Sequence, residues 1–157
     1  MAIPRSRGTA RAKKKDCDRA IKDYNEAIRL NPGSALVFAN RGMAWHQKKA
    51  YEQEINDYEE ALRLDSTNVS FHNRLAWVLA TCPNDGLRDG KQAIDHTTEA
   101  CERSSWKDPN YLDTLAAAYV ESGDCNEAVR WQAKAIELGL SDPDAEAEAK
   151  AHLHLYE

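Results

Sequence analysis

One stretch of this chain is written twice, thirty-four residues apart. AIKDYNEAIRLNP, beginning at Ala20, returns as EINDYEEALRLDS, beginning at Glu54, with Ile, Asp, Tyr, Glu, Ala, Arg and Leu in matching places. A repeat of that length is one supersecondary unit that cannot bury its apolar face alone, so neighbouring copies must cover one another. Within each copy the apolar residues fall three and four apart. Ile21, Tyr24, Ala27 and Ile28 share one helical face, as do Ile55, Tyr58, Ala61 and Leu62.

Glycine and proline lie between the periodic segments: Pro32-Gly33, Pro83, Gly86, Gly90, Gly123 and Pro143 punctuate a chain otherwise rich in Ala, Leu, Glu and Lys. Strand signals are absent. Asp108-Pro109 and Asp142-Pro143 each offer an acceptor cap followed by proline at the first helical position, where its missing N–H costs nothing. Asp124 and Glu127 are spaced as a capping box, and Asp89 stands where it can cap the helix carrying Ala93. These signals predict helices near 16–30, 34–48, 51–64, 68–81, 89–103, 109–122, 124–138 and 143–156.

Paired helices with a period of 34 resemble the tetratricopeptide repeat. In the second repeat Phe38, Gly42, Trp45, Tyr58 and Ala61 fill the family's aromatic, glycine, aromatic, aromatic and alanine positions, while Glu54 stands in place of a small alanine. In the fourth, Leu112, Leu115, Ala116, Tyr119, Ala128 and Ala135 match, and Gln132 departs from the aromatic. The third begins with Leu75, Ala76 and Leu79, then spends five extra residues on TCPNDGLRDGKQA before Ala93 and Ala100 resume the pattern. This block is similar to the C-terminal part of bacterial tandem-repeat proteins.

The resemblance implies an all-α, right-handed α-solenoid of about four helix-turn-helix repeats plus a C-terminal capping helix. Its divisions fall at 1–33 (a degenerate first repeat with a basic arm), 34–67, 68–107 with an insertion near 82–90, 108–141, and the cap at 142–157. Arg7 and Arg11 occupy places that are apolar in a complete first repeat, so Ile21 and Tyr24 are expected to stay partly uncovered and to favour self-association.

Little else in the chain carries chemistry. No nucleotide loop, nucleophile elbow or zinc-protease signature is present, and no enzyme, metal or cofactor is expected. Cys17, Cys82, Cys101 and Cys125 form no CxxC pair and read as buried free thiols, which suits a reducing, cytoplasmic setting. His46, His72, His96, His152 and His154 are mostly on different helices. Asn84, Asp85 and Asp89 with Gly86 and Gly90 lack the alternate spacing of a calcium loop and suit turn and cap duty. Net charge is −5, but Arg5, Arg7, Arg11, Lys13, Lys14 and Lys15 precede the first acid, leaving 15 basic against 26 acidic residues after them. An acidic body disfavours nucleic acid. No apolar run reaches the roughly 18 residues of a membrane span.

What remains is the surface that, in this family, the first helix of each pair lines. The resemblance places Asn40, Met43, His46 and Gln47 there from the second repeat, Ser70, Asn73, Arg74 and Trp77 from the third, and Asp113, Thr114, Ala117 and Glu121 from the fourth. Trp77 is the expected anchor and Arg74 a fork for a carboxylate. Asn40 and Arg74 match two positions of the family's carboxylate clamp, but Thr9 and Ser70 replace two of its donors, which argues against chaperone-tail specificity. The implied function is a non-enzymatic adaptor for a peptide or partner helix. The alternatives are a homo-oligomeric scaffold joined through the first repeat, or a regulatory portion of a larger enzyme.

Overall fold

Helix-forming sequence interrupted by Gly, Pro and capping acids folds as that punctuation dictates. The computed structural model describes residues 5–139 together with Ala147 and Ala151, with side chains from Asp16 onward. The described residues contain seven α-helices and no strand: α1 (Arg5–Leu30), α2 (Ala35–Gln47), α3 (Tyr51–Leu64), α4 (Val69–Thr81), α5 (Gly90–Arg103), α6 (Pro109–Ser122) and α7 (Cys125–Leu138). Six of these fall within two residues of the spans read from sequence. Of the capping helix expected at 142–157 only Ala147 and Ala151 are among the described residues, and the side chains of Arg5, Arg7, Thr9 and Arg11 lie outside them.

The first helix differs from expectation. It starts at Arg5 rather than near 16 and runs unbroken to Leu30, so the first repeat contains no helix–turn–helix. From Thr9 to Leu30 the chain holds neither glycine nor proline, and nothing in its chemistry stops a helix before Pro32.

Caps account for the other boundaries. Asn68 accepts from the backbone N–H of Ser70 and Phe71, and Asp108 accepts from that of Asn110 with Pro109 following. Asp89 accepts from the N–H of Gln92, a bond that holds its carboxyl below the usual range. Asp124 accepts from the N–H of Glu127, but the reciprocal arm of the expected capping box is missing. The Glu127 carboxylate instead accepts from the Trp131 indole at 2.9 Å and from Arg130.

Two compact units divide the chain, Met1–Thr67 and Asn68–Glu157. In the first, α2 and α3 form a hairpin and α1 packs on α2. Gly42 faces the Tyr58 ring, where an added Cβ would come within 3.3 Å. Arg41 clasps Asp57 of α3 through two bonds of 2.8 and 2.6 Å and donates to Asn25 of α1 at 2.7 Å, tying the three helices together. In the second unit, α4 and α5 form one hairpin and α6 and α7 another, with α4 and α5 both packed on α6. Ala76, Ala93, Ala100, Ala116, Ala118, Ala128 and Ala135 are fully enclosed along these contacts. Trp106 stacks on Trp131 at 5.0 Å over the cluster of Cys101, Leu112, Leu115 and Ala135.

The insertion near 82–90 is a built corner. Asn84 accepts from the N–H of Gly86, the Asp89 N–H donates to the Leu79 carbonyl at 3.0 Å, and Arg88 reaches Glu121 of α6 at 2.8 Å and Asp85 at 2.6 Å. Gly90 then brings the start of α5 against the end of α6. A Cβ at this position would lie 2.6 Å from the Ser122 nitrogen and 2.9 Å from the Glu121 carbonyl carbon, both backbone atoms. Replacing Gly90 with Ala is therefore expected to destabilise the second unit by about 1–3 kcal/mol, the usual range for overpacking. Urea unfolding followed by circular dichroism measures this, and a Gly86→Ala control, where the nearest contact is 3.4 Å, should cost less.

Candidate functional site

The twelve positions assigned from sequence to a ligand-contacting surface lie on α2, α4 and α6, and the structure sorts them into distinct environments. In the first unit Asn40, Met43 and Gln47 line a pocket of about 260 Å³ with Asp16, Cys17, Ala20 and Tyr24 of α1. Met43 is 44% exposed, and the Cys17 thiol donates to Gln47 Oε1 at 3.1 Å. His46 turns away from this pocket, and its Nδ1 sits 2.8 Å from Glu54 Oε2. Glu54 is only 4% exposed. The residue that departs from the small-residue pattern of the repeat thus has a polar partner eight positions earlier.

In the second unit Trp77, Asp113 and Ala117 come together with Ala80, Thr81, Val120 and Gln132 around a pocket of about 130 Å³ between α4 and α6. Trp77 is half-buried here. Gln132, 1% exposed, donates from Nε2 to Asp113 Oδ1 at 2.7 Å. Sequence marked Gln132 only as a missing aromatic; its function as the orienting donor for Asp113 needed the packing of α7 on α6.

The other assigned positions are placed differently. Ser70 and Arg74 are exposed and outside this pocket, and Asn73 is half-buried with a side-chain oxygen that has no hydrogen-bond partner among the described residues. Thr114 is buried and donates to the Asn110 carbonyl at 3.0 Å, while Glu121 is held by Arg88. Ile21, expected to be partly uncovered, is buried at 6% exposure because α2 covers it; Tyr24 is half-buried. Three of the four cysteines are buried and Cys125 is exposed, against the reading of all four as interior. Burial pushes the Cys101 thiol up to about 12, with Asp108 and Glu102 adding to the shift, so it stays protonated.

Residues 6–34 and 35–68 match the family model of the tetratricopeptide repeat. Among curated proteins the sequence finds no match. Among solved structures, MamA from Desulfovibrio magneticus superposes with a TM-score of 0.76 at 16% identity, over 99% of this chain and 85% of that one. Pseudomonas aeruginosa PilF gives 0.70 at 16%, over 96% and 68%. The tetratricopeptide domain of Arabidopsis OM64 gives 0.59 at 22%, over 75% and 95%. At these identities the likeness shows the fold, an α-solenoid of helical hairpins.

Among the described residues no group of three or more His, Cys, Asp or Glu side chains is arranged to hold a metal. His72 of α4 and His96 of α5 nevertheless meet, Nδ1 to Nδ1 at 3.0 Å. One ring must donate and the other accept, so the contact requires at least one neutral imidazole. Burial lowers the His96 pKa below 6.5 and the neighbouring His72 lowers it further, with Asp95 opposing. The stability this group contributes is present above the unfolded value near 6.5. It is lost as pH falls through the depressed folded value, because the unfolded chain binds the proton more readily. Urea unfolding at pH 7.5 and 5.0 should show a larger loss on acidification for the wild type than for His96→Gln; equal losses would contradict this account.

Proposed function

Residues 6–68 match the tetratricopeptide-repeat model, and from that premise we propose that the chain works as a non-enzymatic adaptor. It holds an extended peptide or a partner helix on the faces of its first-of-pair helices. The observation that carries this reading is Trp77. Trp77 is half-buried yet lines a pocket with Asp113 and Ala117, all three at positions assigned from sequence to ligand contact. A partly exposed tryptophan at a protein surface is an energetic anchor when a partner covers it. The α1–α2 pocket with exposed Met43 offers the first unit a softer, adaptable surface of the same kind. Free thiols at all four cysteines favour a reducing compartment for this activity.

Trp77→Ala combined with Arg74→Ala should lower partner affinity by about 2 kcal/mol or more, roughly thirtyfold, without changing helix content. Pull-down with both proteins at matched concentration reads this directly. Equal partner recovery from the two would refute the assignment of the surface.

A further inference from the structure

Resting on the adaptor reading, we propose that the pocket between α4 and α6 receives a cationic side chain, arginine or lysine, from the bound segment. The pocket combines a tryptophan ring with a carboxylate. An aromatic face attracts a cation through its quadrupole, and a carboxylate accepts from an ammonium or forks onto a guanidinium. Among the described residues that line the pocket, Asp113 alone carries a charge. Ala80, Ala117 and Val120 supply the apolar wall along which a long cationic side chain lays its methylenes.

Gln132 makes the carboxylate a fixed feature rather than a mobile one. It is held by packing at 1% exposure, and its 2.7 Å bond anchors Asp113 Oδ1. At the corresponding place of the second repeat the chain buries the bulkier Tyr58. Exchanging that ring for an amide both orients the acid and opens space. The pocket, about 130 Å³, has room for a guanidinium with adjoining methylenes.

The wider charge agrees. Residues 68–139 hold seven basic and eleven acidic side chains. Arg74 is exposed one turn before Trp77 and does not line the pocket, so its repulsion acts through screening solvent. A carboxylate of an acidic segment would instead meet Asp113 as a like charge.

Selection of a phage-displayed random peptide library on the immobilised chain tests this, with Asp113→Asn and Trp77→Ala run in parallel after thermal melts confirm folding. Asparagine keeps an acceptor for Gln132 and nearly the same volume. The wild type is expected to enrich peptides with Arg or Lys at a fixed position. A selected peptide resynthesised with citrulline for arginine should bind the wild type about tenfold more weakly, within the strength of a desolvated cation–π contact plus a charged hydrogen bond. Asp113→Asn should show a smaller preference, since only the contribution of Trp77 remains. Neutral or acidic peptides from the wild type, or undiminished preference for arginine by Asp113→Asn, would overturn the inference. If such peptides still depend on Trp77, the adaptor reading stands without it. If Trp77→Ala captures the same peptides as the wild type, or the wild type enriches none, both fall.

Discussion

Close approach between paired helices is the constraint on which the rest of this structure depends, and it is set by alanine and glycine at the seams. Ala61, Ala76, Ala93, Ala100, Ala116, Ala128 and Ala135 are completely enclosed, and Gly42 lies under the Tyr58 ring. Such residues contribute little apolar area themselves. What they permit is backbone proximity, which lets Tyr58, Leu75, Leu112 and Leu115 fill the spaces beside them at interior density. Gly90 applies the same rule at a corner, where the five-residue insertion would otherwise push α5 away from α6.

Two of the places where the repeat pattern fails are instructive in the same terms. A buried carboxylate at Glu54 and a buried amide at Gln132 each require a partner, and each finds one on the first helix of its own hairpin, His46 and Asp113 respectively. The consequences differ. The first pair draws His46 away from the α1–α2 pocket and makes it part of the scaffold. The second leaves Asp113 at the edge of a pocket beside Trp77, the pocket proposed above to receive a cationic side chain.

Helix positions were legible because their determinants are local: Asn68, Asp89, Asp108 and Asp124 cap within three residues of themselves. The alanine pattern was legible because the repeat writes it several times. What escaped were consequences of long-range packing. Nothing local stops α1 at residue 16, and the helix read over 16–30 extends back to Arg5. The burial of Ile21, the diversion of Glu121 to Arg88 and the enclosure of Thr114 depend on which neighbour arrives. Family positions therefore gave a broad surface, whereas the pocket takes three of them, Trp77, Asp113 and Ala117, and adds Ala80, Thr81, Val120 and, from a helix assigned no ligand contact, Gln132.

Substitution at Ala135, fully enclosed on α7, measures the seam constraint most directly when compared with Ala133, exposed on the same helix. Leucine at Ala135 should destabilise the chain in equilibrium urea unfolding by about 1–3 kcal/mol, while leucine at Ala133 should leave stability nearly unchanged. A protein that accepts leucine at both positions at no cost would contradict the claim that small residues hold these helices together.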